Sequence, residues 1–148
     1  MKSNKPILLV EDNPSDADLT KRALARGHIS NELVIAEDGQ EALDYLRGEG
    51  SYAGRAVADT PSMILLDLKL PKVSGLEVLR AVRADARLRR VPVVILTSSK
   101  EEEDVGAGYD LGVNSYVRKP VDFKEFQVAI ANLGLYWLIL NEPNPPVK

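Results

Sequence analysis

Five short runs of consecutive apolar residues recur along the chain, and each is followed by a more polar segment. A strand that alternates apolar and polar residues exposes one of its faces. Continuous apolarity instead indicates a strand that is covered on both faces, as in a parallel sheet. The pattern therefore predicts five parallel strands, at Ile7 to Val10, Leu33 to Ala36, Met63 to Leu66, Val93 to Leu96 and, more weakly, Tyr116 to Val117.

The segments that follow these runs have the apolar spacing of amphipathic helices. The first helix is predicted to begin at Pro14, with Asn13 as its N-cap and Gly27 as its stop. Asp16 and Asp18 lie near its start, where a helix favours negative charge. A strand followed by a helix, five times, predicts an α/β doubly wound sheet with helices on both faces. The other helices are predicted over Gln40 to Arg47, from Gly75 with Leu76, Leu79 and Val82 as its inner stripe, over Lys100 to Leu111, and from Asp122 onward.

Composition and charge narrow the class of protein. The chain has 148 residues, of which 45% are hydrophobic and 28% charged, and its net charge is -3. These values predict one soluble domain over residues 1–148, with its core at about 5–133. The mild acidity gives no reason to expect a nucleic acid or an anionic membrane as partner, and the basic cluster at 87–90 is interpreted as a solvated helix end. Without a signal peptide or an apolar run of ~20 residues, the protein is expected to be cytoplasmic.

Two features of the composition limit the chemistry. The chain contains no cysteine, which excludes disulfides, thiol redox chemistry and cysteine-ligated zinc. Its single histidine, His28, cannot alone form a histidine-based metal site or a Ser-His-Asp triad. Because His28 lies beside Gly27, we interpret it as a residue of the first helix's C-terminus.

Polar side chains stand directly after four of the five strands. Glu11 and Asp12 follow the first strand, Asp67 the third, Thr97 the fourth and Lys119 the fifth. In open α/β sheets the ligand crevice lies outside the carboxyl ends of the strands, at the switch in strand order. The sequence therefore predicts one site that receives side chains from four strands.

This set of side chains suits phosphoryl transfer assisted by a divalent cation. Three carboxylates in one place repel each other unless a cation is present, and oxygen-only ligands suit Mg²⁺. An ionised Asp67 would then attack phosphorus and form an acyl phosphate. Lys119 and the Thr97 hydroxyl would bind phosphate oxygens. A cis bond before Pro120, which would fix the lysine towards the crevice, is a further hypothesis.

Each of these residues also has a purely structural interpretation. Asp12 would cap a helix, Asp67 would begin a turn, Thr97 would cap the fourth helix and Lys119 would be a surface charge. Taken singly, these interpretations are as good as the functional ones. Together they require four independent strand ends to match one phosphate and metal site by accident, which favours the functional interpretation.

At these residues the sequence resembles the receiver domain of bacterial two-component signalling. The resemblance covers about residues 5–133 and rests on ILLVEDNP at 7–14, ILLDLKLPKVSG at 64–75, VVILTSS at 93–99 and YVRKP at 116–120. It implies a flavodoxin-like strand order 2-1-3-4-5. It also implies a protein that accepts a phosphoryl group from a sensor histidine kinase and slowly loses it, and that is not a conventional enzyme.

The resemblance further implies a role for each matching position. Asp67 would be the phosphoacceptor, and Asp12, with Glu11 more indirectly, would bind Mg²⁺. The backbone carbonyl of Lys69 would be a further metal ligand. A phosphatase of the haloacid dehalogenase type is the enzyme alternative, but it needs an acid where this chain has Lys69. A pseudo-receiver, a binding module that is never phosphorylated, is the other alternative; it normally lacks the acceptor, the lysine or the acidic pair.

A conformational switch is implied by the same resemblance. Phosphorylation adds roughly 1.5 to 2 negative charges, onto which Thr97 and Lys119 would move. Tyr116 would be the aromatic switch whose ring turns inward when Thr97 moves. The face formed by the fourth helix, fifth strand and fifth helix would then change shape. Ser99 is predicted to border the path of the attacking water and to tune the lifetime of the phosphate.

More narrowly, the segments at 91–105 and 119–126 and the tryptophan-containing tail resemble stand-alone regulators of phytochrome-type kinases. The tail at 134–148 carries six uncharged, largely apolar residues from Leu135 to Leu140 before its prolines. Such a run either folds back on the domain or covers a partner. We favour contact with the kinase or with a second copy, and expect any homodimer to use this tail and the face described above.

Overall fold

The described part of the chain is a parallel sheet with helices on both faces. The computed structural model describes residues 5–26, 31–56, 60–68, 70–97, 112, 115–119, 124–125 and 127–128. Its strands lie in the order β2-β1-β3-β4-β5, and every pair is parallel. The predicted doubly wound α/β fold with strand order 2-1-3-4-5 is therefore confirmed. The strands are β1 (Ile7–Val10), β2 (Leu33–Ala36), β3 (Met63–Asp67), β4 (Val93–Thr97) and β5 (Ser115–Arg118).

Three helices are described in full, α1 (Pro14–Arg26), α2 (Gly39–Arg47) and α3 (Gly75–Ala84). A polar side chain caps the free N–H groups at the start of each: Asn13 for α1, Asp38 for α2 and Ser74 for α3. None of the helices in the described ranges is long and apolar enough to cross a lipid bilayer.

Other predicted features lie outside the described residues: the helix over 100–111, most of the helix from Asp122, the tail at 134–148, His28 and the Gly27 stop.

Alternate residues of each central strand pack against opposite layers of helices. Leu8 and Val10 lie in the core cluster that contains the inner faces of α2 and α3. Ile7 and Leu9 lie in the second cluster, with the inner face of α1. All four side chains are fully buried. Continuous apolarity thus corresponds to coverage on both faces, as expected for the central strands of a parallel sheet.

One detail of the predicted packing is wrong, and another is incomplete. Ile35 is exposed because β2 is the edge strand and pairs only with β1, so not every apolar run is covered on both faces. In α3 the fully buried stripe contains Val78, whereas Leu76 is only partly buried at the rim of the cluster. Both differences depend on neighbours that are distant in the chain.

Gly75, the first residue of α3, packs against the backbone that follows β3. A Cβ atom at this position would lie 2.3 Å from Asp67 O and 2.6 Å from Leu68 Cα. Helix propensity alone predicts that Ala in place of Gly stabilises a helix by about 0.5–1 kcal/mol. Because backbone atoms cannot swing aside, we expect Gly75→Ala instead to lower the free energy of unfolding by about 1–3 kcal/mol, as measured by urea denaturation. Arg80→Ala, at an exposed position of α3, is the control and should change the free energy of unfolding by less than about 0.5 kcal/mol. A higher free energy of unfolding in Gly75→Ala would contradict the packing argument.

Candidate functional site

The carboxyl ends of three strands bring four charged residues together. Glu11 and Asp12 follow β1, Asp67 ends β3, and Lys119 follows β5. Val10 pairs with Leu66, the residue before Asp67, so the two acidic strand ends are adjacent. This is the edge of the sheet at which ligands bind in open α/β folds.

The ammonium group of Lys119 is the centre of this cluster. Its Nζ atom lies 3.0 Å from Asp67 Oδ2, 3.1 Å from Asp16 Oδ2, and 2.9 and 3.1 Å from the two carboxylate oxygens of Glu11. The Lys119 side chain is 18% exposed, whereas the Glu11 carboxylate is fully buried. Charge-assisted contacts of this length hold the lysine and the carboxylates in one arrangement.

One oxygen of Glu11 is left without a hydrogen bond. The three protons of an ammonium group allow three hydrogen bonds, and Lys119 donates them to Glu11 Oε2, Asp16 Oδ2 and Asp67 Oδ2. Glu11 Oε1 is buried and lies 2.9 Å from Lys119 Nζ, an ionic contact that is not directed as a hydrogen bond. A buried carboxylate oxygen in this position is suited to a ligand that the protein chain itself does not supply.

The carboxylates of Glu11, Asp12 and Asp67 fit a divalent cation. One oxygen atom from each lies within 4.8 Å of the others. Oxygen-only donors suit Mg²⁺ or a similar hard cation, and the exposure of Asp12 allows the ion to keep water ligands. Around Lys119 and these three acids the negative charge exceeds the positive, which a cation would offset. Lys69, whose carbonyl is a predicted ligand, lies outside the described residues.

The protonation of Glu11 and Lys119 follows from burial and from their mutual contact. Burial raises the pKa of Glu11 to about 7, the hydrogen bond from Lys119 opposes this, and the nearby Asp67 charge adds to it. Burial alone would lower the pKa of Lys119, but its hydrogen bonds to Glu11 and Asp67 outweigh burial and raise the pKa above its ordinary value. Lys119 is thus a stable cation, while Glu11 can change its charge near neutral pH.

The structure brings together Glu11, Asp12, Asp67 and Lys119, as the sequence predicts. Thr97 is the last residue of β4 and its backbone is placed opposite Arg118, but its side chain is not described. Tyr116 lies in β5, half-buried against the core cluster of α2 and α3. The roles of Thr97 and Tyr116 in a switch stay predictions. Three further predictions lie outside the described residues: the Lys69 carbonyl, Ser99 and the isomer of the bond before Pro120.

Asp16 is a contact of the site that the sequence did not predict. The sequence explains its acidic side chain only by the favourable interaction of negative charge with the start of α1. A signal was available, because α1 begins shortly after Asp12 and its first turn must therefore lie at the same edge of the sheet. The charge pattern alone gave no reason to connect Asp16 with a lysine 103 positions away.

A cleft opens beside the carboxylates, between α1 and β2. Its volume is about 290 Å³, and it leads from the exposed Asp12 along the apolar side chains of Ala17 and Ile35. The opening gives Glu11 and Asp12 a route to solvent. The lining residues are Glu11, Asp12, Pro14, Ala17, Asp18, Lys21, Ile35 and Glu37.

The sequence matches the family model of the response regulator receiver domain over residues 7–131. Among solved structures, the chain is similar to the bacteriophytochrome response regulator RtBRR, with 57% identity, a TM-score of 0.85, and coverage of 97% of this chain and 86% of that one. It is similar to the phosphorylated cyanobacterial phytochrome response regulator RcpA, with 43% identity, a TM-score of 0.75, and coverage of 92% and 95%.

A third relative is the response regulator Rcp1 of Synechocystis, which is 41% identical over 138 residues, covering 92% of each chain. Rcp1 has been solved in a Mn²⁺-bound form, to which this chain is similar with a TM-score of 0.73, 38% identity, and coverage of 97% of this chain and 99% of that one. These three similarities extend over most of each chain.

Proposed function

Because the chain belongs to the family of response regulator receiver domains, we propose that it accepts a phosphoryl group on Asp67 from a sensor histidine kinase and signals through protein contacts. Receiver domains are in general signalling proteins and not conventional enzymes. The observation that carries the proposal is the buried Asp67 carboxylate, hydrogen-bonded by Lys119 at 3.0 Å and grouped with Glu11 and Asp12 within 4.8 Å. Relatives named for phytochromes support a phytochrome-type kinase as the partner.

The chemical step follows from the two groups at the centre of the site. An oxygen of Asp67 forms a bond to phosphorus while the bond from phosphorus to the kinase histidine breaks, and the imidazole leaves with the electron pair and takes a proton from water. Lys119 already lies 3.0 Å from Asp67, so its charge is in place for the phosphoryl oxygens without a large rearrangement. The side chains thus contribute a nucleophile and a fixed positive charge.

Glu11, Asp12 and Asp67 would hold the cation that we propose for this step, together with the Lys69 carbonyl that the family resemblance implies. The buried Glu11 Oε1 atom without a hydrogen bond and the oxygen-only donor set support this proposal. The Mn²⁺-bound form of Rcp1 supports it as well. When bound, Mg²⁺ would offset phosphoryl charge and align an oxygen of the transferred group.

Metal affinity is expected to depend on pH through Glu11, whose pKa is about 7. Below pH 7 this carboxylate holds a proton that a cation must displace, so the apparent affinity falls by up to about tenfold per pH unit. Above pH 7 the affinity should level off. Calorimetric titration with Mg²⁺ at pH 6, 7 and 8 measures this, with an expected change of about tenfold between pH 6 and 8.

Glu11→Gln is the control for the pH dependence, because it keeps the shape of the side chain and removes the titration. Its Mg²⁺ affinity should be weaker at pH 8 and nearly constant from pH 6 to 8. If the wild-type protein has the same affinity at all three pH values, Glu11 is not a ligand that must lose a proton.

The output that we propose is a change in a protein-binding face. Thr97 and Tyr116 would transmit phosphorylation to the surface around β5, and this surface together with residues 134–148 would contact the kinase or a second copy of the chain. The half-buried position of Tyr116 in β5 supports its role. Because sensor kinases present their phosphohistidine in the cytoplasm, we place the protein there as well.

The proposed function is tested by incubating the protein with acetyl phosphate, in Mg²⁺ or in a chelator, and by measuring intact mass and elution from a sizing column. One phosphoryl group is expected in Mg²⁺ only, as an acid-stable and base-labile adduct. A change in elution would identify oligomerisation as the output. If the folded protein takes no phosphoryl group from acetyl phosphate or from a phosphorylated phytochrome-type kinase, the proposal is wrong and a pseudo-receiver is favoured.

A further inference from the structure

Asp16 contacts the central lysine but has no role in the proposed chemistry. Its Oδ2 atom accepts a hydrogen bond from Lys119 Nζ at 3.1 Å, comparable to the bonds that Asp67 and Glu11 accept. It is not one of the three acidic residues whose carboxylates lie within 4.8 Å of one another. The contact joins the first turn of α1 to the residue after β5.

Capping of its own helix does not explain the position of the Asp16 carboxylate. An acidic residue in the first turn often accepts a hydrogen bond from the N–H group of the N-cap residue, as Glu77 does with Ser74 at the start of α3. In α1 the N–H group of the N-cap Asn13 is bonded to Glu11 Oε2 at 3.3 Å. The Asp16 carboxylate is directed to Lys119 instead.

The backbone of Asp16 is nevertheless fixed in place. Its N–H group donates to Asn13 Oδ1 at 3.1 Å, and its carbonyl oxygen accepts from the Thr20 hydroxyl at 3.0 Å. A short side chain on a fixed backbone presents its carboxylate at a defined point. Lys119, which has four rotatable bonds, is therefore the partner whose position is set by the contact.

The number of ammonium protons makes Asp16 a competitor of a phosphoryl group. All three protons of the Lys119 ammonium group are directed at carboxylate oxygens, so a phosphoryl oxygen on Asp67 obtains a hydrogen bond in exchange for one that Asp67, Glu11 or Asp16 gives up. The side chain of Asp16 is 29% exposed, against 0% for Glu11 and 6% for Asp67. Asp67 can pass its own bond to the phosphoryl group. For any second bond Asp16 is the acceptor that is displaced most easily, because water replaces a lost hydrogen bond most easily at an exposed carboxylate.

We propose that Asp16 is a positioning residue that holds Lys119 in the unphosphorylated protein and competes with the phosphoryl oxygens for its ammonium group. The inference rests on the proposed phosphorylation of Asp67. Asp16 binds the lysine, and its negative charge lies near the negative charge of the phosphoryl group. Both effects lower the fraction of protein that is phosphorylated at a given concentration of donor. Its removal should therefore raise that fraction.

The test is Asp16→Asn in the acetyl phosphate assay, at saturating Mg²⁺ and a donor concentration that phosphorylates only part of the wild-type protein. The ratio of phosphorylated to unphosphorylated protein, read by intact mass, should rise about two- to fivefold, the scale of a partly exposed ion pair. Asp18→Asn is the matched control, since it removes the same charge from a residue of α1 that is paired with Arg22 at 2.9 Å. Its ratio should stay near that of the wild type.

A second readout separates this role from support of the helix. The ¹⁵N and ¹H resonances of the Lys119 ammonium group should shift in Asp16→Asn and not in Asp18→Asn, whereas a role confined to the helix start would leave them in place. Asp16→Glu, which keeps the charge, should bring the phosphorylation ratio back towards the wild-type value.

The outcomes distinguish the inference from the function on which it rests. A wild-type protein that takes no phosphoryl group from either donor overturns both. A wild-type protein that is phosphorylated, with an equal or lower ratio in Asp16→Asn, overturns the role of Asp16 alone. If the ratio rises equally in Asp16→Asn and in Asp18→Asn, the role of Asp16 is also overturned. The effect would then come from the loss of any negative charge on α1.

Discussion

Asp67→Asn is expected to abolish the phosphoryl adduct and to leave the fold intact. The amide of Asn has no ionised oxygen to attack phosphorus, so no acyl phosphate can form at this position. The change should not destabilise the protein strongly, because Lys119 keeps its bonds to Glu11 and Asp16 and one of several mutually repelling charges is removed. Intact mass after incubation with acetyl phosphate and Mg²⁺ measures the loss, and urea denaturation checks the fold.

Asp12→Asn is the informative comparison for this variant. It keeps the nucleophile and removes one of the three carboxylates that lie within 4.8 Å of each other. Its adduct should still form, but at a higher Mg²⁺ concentration than the wild-type protein needs. A base-labile adduct of the same yield on Asp67→Asn would mean that the phosphoacceptor is another residue.

The strands could be predicted from the sequence because the central ones are apolar without interruption. The predicted ends of β3 and β4 are one residue short, at Asp67 and Thr97, and β5 extends one residue beyond the predicted run at each end, because backbone pairing continues beyond the last apolar side chain. Asp67 pairs with Leu96, and Thr97 with Arg118, although neither strand end is apolar. The hydropathy pattern of a sequence depends on its side chains only, so it does not indicate where the last backbone hydrogen bond of a strand is formed.

The exposure of β2 could not be predicted in the same way. The run of Leu33 to Ala36 is as apolar as that of β1, yet Ile35 is exposed. The difference arises because β1 has a neighbour on each side and β2 has one. Position in the sheet is set by residues far along the chain, which a local pattern does not contain.

The site was predictable in so far as its residues stand at strand ends. The carboxyl ends of parallel strands meet at one edge, so Glu11, Asp67 and Lys119 had to lie near each other once the fold was identified. Asp16 was missed because its contact depends on how far two side chains reach, from a helix on one side and from the end of β5 on the other. Burial raises the pKa of Glu11 to about 7 although the hydrogen bond from Lys119 opposes the rise, and no feature of the sequence indicates this value.

Lys119→Met is expected to reduce the rate of phosphorylation by about 10²- to 10³-fold, the usual effect of removing one fixed positive or hydrogen-bonding group from a site of charge development. Methionine keeps much of the length and the apolar stem of lysine but leaves Glu11, Asp16 and Asp67 without their shared cation. The rate is measured from the growth of the adduct by intact mass, at saturating Mg²⁺. Lys72→Met is the control, because Lys72 pairs with Asp38 at 3.4 Å and is mostly exposed.

The stability of Lys119→Met separates the role of the lysine as a counterion from its role in the reaction. In metal-free solution at pH 8 the free energy of unfolding should fall by about 2–3 kcal/mol, less than for a fully buried pair because Lys119 is partly exposed. The loss should be smaller at pH 6, where Glu11 holds a proton, and Mg²⁺ should restore stability by supplying positive charge. If Mg²⁺ restores stability but not the rate, Lys119 acts on the phosphoryl group itself. If Mg²⁺ restores both, the lysine is only a substitute for the metal charge, and its part in the proposed chemistry is wrong.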